Sequence, residues 1–367
     1  MSGGPCDLEA VLEKAKARAK ALSAAELERL LSAPGPDERA AIRAAALEVK
    51  RRHCGNLVSI RGIVELGNVC AKDCFYCGIR KSNPSLRRYT LAVEDVVRMA
   101  KTNRDLGYAS IVLQGGEIES EANTRYIEKC LEGIAELDLG ITLSLGEQTE
   151  DVYKRWKAAG ASRYLLRIET SNPALYATLH PADHSWERRR ECLAALRRCG
   201  YQVGTGVMCA LPGQTPRDLA NDIVFYGETD ADMIGMGPYI PHPDTPLAKS
   251  APPLSAEERL ETGLDMIAAA RLYLHDVNIA STTALQALAP DGRERGILAG
   301  ANVVMPNVTD TAYRAAYQLY AGKPCLNENA SLCRGCLERR IESIGEKINW
   351  RQRGDSPHFF NRQHPST

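Results

Sequence analysis

From residue 57 onward the chain alternates short apolar runs with longer segments in which apolar positions return every three or four residues. The short runs read as buried strands and the longer spacing as amphipathic helices. Strands are predicted over 58–66, 110–114, 141–145, 164–169, 202–208, 233–237, 279–283 and 303–305. Helical patterns fall between them at 92–104, 124–137, 149–159, 186–198, 216–228 and 256–273. Parallel strands need helical crossovers and eight can close, so the pattern predicts an α/β protein built on a (β/α)8 barrel. The link between the seventh and eighth runs is short, and a partial six-stranded barrel is the alternative. Residues 7–52 read as helical, opened by Asp7 as a cap and interrupted at Ala33-Pro34-Gly35-Pro36-Asp37. The expected organisation is an N-terminal helical extension over 1–56 covering the bottom or flank of the barrel, the barrel over 57–322, and a cysteine-containing extension over 323–367.

Charge and composition narrow the partners. Lysine plus arginine and aspartate plus glutamate number 46 each, so no global basic field points to nucleic acid or an anionic membrane. No apolar run approaches a membrane span, and the N-terminus lacks a charged region followed by an apolar one. A cytoplasmic protein acting on a small molecule is expected. In that reducing setting the 12 cysteines read as metal ligands or buried thiols rather than disulfides. Cys6, Cys54, Cys130, Cys192, Cys199 and Cys209 are scattered singly and read as small apolar residues.

The other cysteines are grouped. Cys70, Cys74 and Cys77 lie three and then two residues apart in one tight loop after the first predicted strand. Cubane iron–sulfur clusters take cysteine thiolates, usually four; three in one loop with no nearby fourth leave one iron open to a small molecule. A structural zinc site would want paired thiolates or histidines, and no histidine follows closely. In a barrel, chemistry collects where strands end. Those ends carry Gln114-Gly115-Gly116-Glu117, then Thr142, Ser144 and Glu147, then Arg167, Glu169 and Thr170. Arg167 and Glu169 alternate with Leu166 and Ile168, so both charges face the barrel cavity. A buried charge persists only if it is paired or binds a ligand. The proline-rich stretch 237–247 reads as a stiff loop over the barrel mouth, with His242 as a turn residue.

The segment Cys70-Ala71-Lys72-Asp73-Cys74-Phe75-Tyr76-Cys77, with an aromatic before the last cysteine, resembles the motif of the radical S-adenosylmethionine (SAM) superfamily. The resemblance implies a [4Fe–4S] cluster on Cys70, Cys74 and Cys77, SAM on its open iron, and reductive cleavage of SAM to a 5′-deoxyadenosyl radical. Five further segments narrow the likeness: Cys74 to Arg80, Thr142 to Glu147, Arg163 to Thr170, Gly237 to Leu247, and Ala301 to Asn307 followed by Tyr313-Arg314 and Tyr317 to Tyr320. Together these are similar to the HydE family, radical SAM maturases of the [FeFe]-hydrogenase H-cluster. Biotin synthase and methylornithine synthase share the barrel and cluster loop.

That family implies that Gln114, Gly115, Gly116, Glu117, Glu169 and Arg189 hold SAM, and that Arg167, Thr142, Thr282, Thr283 and Tyr320 line the substrate space. It implies an organometallic substrate carrying CO, cyanide and cysteine, whose cysteine sulfur the adenosyl radical attacks. The partners implied are the maturases HydG and HydF and an electron donor. Cys325, Cys333 and Cys336 resemble the family's C-terminal triplet, which holds an accessory [2Fe–2S] or [4Fe–4S] cluster; the segment is expected outside the barrel mouth. The other functions in view are a radical SAM enzyme acting on an amino acid, as methylornithine synthase does, and a non-catalytic iron–sulfur carrier.

Overall fold

The computed structural model describes residues 7–32, 35–250, 254–328 and 330–364, and the side chains of all of these but Ser331 and Leu332. Cys6 and the Ala33-Pro34 part of the predicted break lie outside them.

The eight predicted strands are all present. In chain order the strands are β1 (Leu57–Ile60), β2 (Gly62–Gly67), β3 (Ser110–Gly115), β4 (Gly140–Ser144), β5 (Arg163–Leu165), β6 (Gln202–Thr205), β7 (Met208–Cys209), β8 (Met233–Ile234), β9 (Gly237–Pro238), β10 (Asn278–Ser281), β11 (Val303–Val304) and β12 (Lys347–Ile348). The main sheet is parallel throughout and runs β12-β1-β11-β10-β8-β6-β5-β4-β3-β2. β1 and β2 are one run interrupted at Arg61, so the order from β1 round to β2 returns on itself and closes, with β12 added outside the ring beside β1. Closure is completed where Ile63 N donates to Pro306 O and Val308 N to Ile63 O, each at 2.8 Å. The six-stranded alternative is thereby excluded.

Between the strands lie α4 (Val93–Asp105), α5 (Glu121–Ile134), α6 (Glu150–Ala158), α7 (Pro173–Leu179), α8 (Trp186–Arg198), α9 (Pro216–Glu228), α10 (Pro246–Ser250) and α11 (Ala256–Leu274). The short seventh-to-eighth link is two small helices, α12 (Thr283–Leu288) and α13 (Gly292–Leu298). The buried core is the shell between strands and helices, where Tyr153, Trp156, Tyr164 and Tyr201 pack together.

One expectation needs correction, while the flank placement agrees with the sequence reading. The N-terminal segment is three helices, α1 (Leu8–Ala17), α2 (Ala24–Leu31) and α3 (Pro36–Cys54). The extra break comes from Arg18, whose extended backbone at φ −152° ends the first helix, from the turn that follows with Lys20 at a positive φ of 56°, and from Ser23 and Glu26, whose reciprocal capping box starts the second. Apolar spacing alone runs through both signals. These helices pack on the flank, α3 on α11 and α2 on α9 and α11. The bottom is closed instead by the C-terminal segment. β12 pairs with β1, and the stretch beyond it plugs the barrel: buried Arg163 binds Asp355, Gln202 Nε2 donates to Asp355 Oδ1 at 2.7 Å, and Arg61 and Asn278 donate to Gly354 O at 3.0 and 2.9 Å. Gly354 is left-handed, and a Cβ there would meet Ser59 Oγ at 2.4 Å. No helix among the described residues is long and apolar enough to cross a membrane.

The last helices are α14 (Thr311–Arg314), α15 (Ala330–Ser343) and α16 (Pro357–Gln363). α16 is clasped to the barrel by His358, whose ring nitrogens sit 2.8 Å from Asp230 and 3.0 Å from Asp276, with Arg362 2.8 Å from Asp230. Asp230 first and Asp276 second raise the imidazole from 6.5 to about 9. A raised folded pKa adds stability that is complete below the unfolded value and is lost as pH rises through the folded one. The Tm difference between wild type and His358→Gln is therefore expected to be full near pH ~6 and to vanish by pH ~10. A pH-independent difference in thermal scans would show that the clasp is not ionic.

Candidate functional site

One cavity of about 340 Å³ opens at the C-terminal ends of the strands. Cys70, Cys74 and Cys77 line it together with Gln114, Gly115, Gly116, Glu117, Arg167, Glu169, Arg189, Thr282, Thr283 and Tyr320. Of the expected site residues in the barrel, only Thr142 is elsewhere. It lines a cavity of about 20 Å³ beside Arg61 and Met233, one layer deeper; Leu165, Gly235 and Met305 border both spaces.

The loop carrying the three thiols has no regular structure and is held by its neighbours. Ala71 N donates to Glu117 O at 2.8 Å, Phe75 N to Leu179 O at 2.9 Å, Gly78 N to Leu319 O at 2.8 Å, and Leu247 N to Phe75 O at 3.0 Å. Two glycines make room for it. A Cβ on Gly116 would meet Val69 O at 2.0 Å, and one on Gly78 would meet Gln318 O at 2.1 Å. Cys70 Sγ accepts from the backbone N–H groups of Lys72 and Glu117 at 3.4 and 3.3 Å, contacts of the kind that stabilise a thiolate.

Burial pushes the Cys74 thiol up to about 12, against the pull of Arg189, and raises Cys70 and Cys77 as well. Such thiols become thiolates when a cation sits among them, and iron supplies one. Among the described residues no three His, Cys, Asp or Glu side chains converge on a point that would hold one metal ion. A cubane, by contrast, offers a different iron to each thiolate, so its ligands need not converge. The donor set therefore fits an iron–sulfur cluster.

Around the loop the charges compensate. Lys72 Nζ lies 3.2 Å from Glu117 and 3.3 Å from Glu147, while Arg189 lies 3.3 Å from Glu117 and 3.0 Å from Glu147. Burial works against the charge on Arg189, but Glu117 and Glu147 hold it firmly cationic. Arg167 and Glu169 do face the cavity, though not by simple strand alternation. β5 ends at Leu165, and Glu169 has a left-handed φ of 69°. That turn is fixed by Glu169 N donating to Gly206 O and Met208 N to Glu169 O, both at 3.0 Å. Arg167 Nη2 and Glu169 Oε2 are 3.0 Å apart but off hydrogen-bond alignment, leaving both with capacity for a ligand. Thr282 Oγ1 and Thr142 Oγ1 are likewise buried without a partner among the described residues.

The C-terminal cysteines sit differently from expectation. Cys325 and Cys333 line the main cavity itself, while Cys336 lies beyond its lining on α15. The segment folds back over the barrel because Arg314, fully buried, binds the carbonyls of Thr309, Asn307, Cys325 and Glu328.

Other cavity residues escaped the sequence reading. Glu65 pairs with Lys323 in the wall, and a charge inside an apolar strand run was the available signal. Arg293 donates to Thr283 Oγ1 at 3.0 Å and carried no such signal. His180 and His184, which touch the cysteine loop, lie more than a hundred residues from it in sequence. His242 is the turn residue expected, its Nδ1 accepting from Asp244 N at 3.2 Å.

Residues 64–226 match the model of the radical SAM superfamily. The [FeFe] hydrogenase maturase subunit HydE of Thermotoga maritima is 44% identical over 300 residues, 82% of this chain and 84% of that protein. The chain belongs to the HydE family of radical SAM enzymes. Biotin synthase of Corynebacterium urealyticum, also similar, is 28% identical over 81% of this chain and 87% of its own length. Among solved structures, methylornithine synthase (PylB) superposes with a TM-score of 0.81 at 23% identity, covering 93% of this chain and 98% of that one. The FeFe-hydrogenase maturase HydG from Carboxydothermus hydrogenoformans gives 0.79 at 20% identity, covering 95% of this chain and 81% of that one. At those identities the structures speak for the fold alone. Membership of the family implies a [4Fe–4S] cluster and SAM as cofactors.

The close fit at Gly116 gives a direct test of the loop. Gly116→Ala forces a backbone shift, and overpacking of this kind costs ~1–3 kcal/mol, or roughly 1–4 °C in Tm for a chain of this size. The alanine variant is expected to melt lower in that range and to bind less iron on reconstitution. Unchanged melting and full iron content would show that the loop does not need the glycine.

Proposed function

We propose that this chain is a HydE-type maturase that acts in [FeFe]-hydrogenase assembly on an organometallic Fe(CO)2(CN)–cysteine precursor. The observation that carries the reading is a single cavity shared by the three-thiol loop, a balanced set of buried charges and a second group of polar residues. The 44%-identical HydE of Thermotoga maritima supports the reading.

In this reading Cys70, Cys74 and Cys77 ligate the [4Fe–4S] cluster. Gln114, Gly115, Gly116, Glu117, Glu169 and Arg189 hold SAM: the carboxylates take its amino group and ribose, and Arg189 takes its carboxylate. When bound, the cluster and SAM supply an electron and a 5′-deoxyadenosyl radical. The chain's own work is to fix geometry and exclude water. The glycine turn brings its backbone close to the ligand, and the clamped loop keeps the thiols in place before any ligand arrives.

Arg167, Thr282, Thr283 and Tyr320 receive the substrate, since arginine and hydroxyl donors suit its cyanide and carboxylate groups. Thr142 acts from the deeper layer. Residues 57–322 carry this chemistry, with the 1–56 extension as support. The 323–367 extension would carry an accessory iron–sulfur cluster on Cys325, Cys333 and Cys336. HydG, HydF and an electron donor are the partners.

The test is a defined anaerobic maturation of apo-[FeFe]-hydrogenase in which the reconstituted chain replaces HydE. Hydrogen evolution that needs the chain, and that Cys74→Ala abolishes, is the expected result. SAM cleavage without maturation would redirect the substrate search to amino acids.

A further inference from the structure

The segment between α7 and α8 carries two buried histidines in Leu179-His180-Pro181-Ala182-Asp183-His184, and both face the cysteine loop. Their protonation patterns follow from their partners. His184 Nε2 lies 3.2 Å from Asp73 N, a group that can only donate, so Nε2 is bare and the proton sits on Nδ1, 2.8 Å from Asp183 Oδ1. His180 Nδ1 lies 2.9 Å from the carbonyl of Tyr176, which can only accept, so Nδ1 carries the proton there too. Burial holds the His180 imidazole down to about 3, so its Nε2 is bare and faces the Tyr76 hydroxyl at 3.3 Å, with the two rings edge to face at 5.4 Å. Behind it the His180 ring stacks on Tyr176 at 3.9 Å.

These rings are not set up as metal ligands. All four ring nitrogens are already engaged, and the two bare ones point at the loop backbone and at a phenol. The same segment also accepts Phe75 N on Leu179 O at 2.9 Å. Asp73, Phe75 and Tyr76, the residues bracketing Cys74, are thus all tied to one six-residue stretch.

We propose that His180 and His184 are positioning residues of the cluster loop, two neutral imidazoles whose bare Nε2 atoms hold Tyr76 and Asp73 and so fix Cys74 between them. The same stretch leads directly into α8, which carries Arg189. The clamp therefore sets the thiol loop and the Arg189 guanidinium in one frame. The inference rests on reading Cys70 to Cys77 as a cluster loop, but not on the identity of the substrate.

The test compares His180→Leu and His184→Leu with His180→Gln and His184→Gln, which return an acceptor near the Nε2 position. In the apo protein, loss of one such hydrogen bond is expected to speed amide exchange of residues 71–78 about five- to tenfold. In the reconstituted protein, iron loss to a chelator is expected to quicken roughly tenfold or more, and the change that SAM induces in the EPR signal of the reduced cluster is expected to shrink. The glutamine variants are expected to recover most of each effect.

Leucine variants with wild-type exchange and iron retention would overturn the proposal. So would glutamine variants as impaired as the leucines, because the role would then be ring packing rather than an acceptor. If a leucine variant does not fold, Tyr76→Phe removes the His180 bond from the other side, and Asp183→Ala releases the proton position of His184 from an exposed residue. Neither of these raising exchange in the loop would be equally contrary. Normal results here with failed hydrogenase maturation would count against the substrate reading alone.

Discussion

A loop of three thiols without regular secondary structure keeps its shape only if other segments impose it. Here the restraint is distributed: the turn after β3, the last residue of α7, the first turn of α10 and the segment near Leu319 each give the loop one backbone hydrogen bond. Each net bond is worth only about 1 kcal/mol, so the geometry depends on their number and on the glycines that let backbones touch. The barrel matters because it brings four sequence-distant segments to one rim. A shift in any of them would be felt at the thiols.

Charge imposes the second constraint. Lys72, Arg189, Glu117 and Glu147 are largely buried, and each depends on the others for compensation. Removing one partner would strand a charge, so the network behaves as a unit and holds the loop residue Lys72 to two different strand ends. Arg167 and Glu169 are the looser pair. Their misaligned contact and the left-handed turn at Glu169 leave donors and acceptors free for a ligand, which suits a site whose job is to bind.

Much of this was legible in the sequence. All eight strands were found by period, and α8 and α9 match the predicted helical spans to the residue. The cysteine spacing marked the loop, and strand-end polarity marked the glycine turn. The failures have particular causes. Alternation was extended through Glu169 although the ladder stops at Leu165, because hydrophobic pattern cannot reveal a positive φ. Cys325 and Cys333 were placed away from the cavity because the return of the C-terminal segment is dictated by Arg314 and its carbonyl partners, a tertiary fact. Thr142 was assigned to the substrate space although its strand position puts it one layer lower. His180 and His184 carry no signal in the sequence, since their role comes from the loop they touch across the barrel mouth.

We infer that the clamped thiols and the balanced charges form one site for reductive cleavage of SAM. The most direct measurement is release of 5′-deoxyadenosine by the reconstituted, chemically reduced protein and by its Cys70→Ala, Cys74→Ala and Cys77→Ala variants. Release by the wild type and none by the three variants is the expected result. A wild-type protein that carries its cluster and binds SAM yet releases no 5′-deoxyadenosine would contradict it.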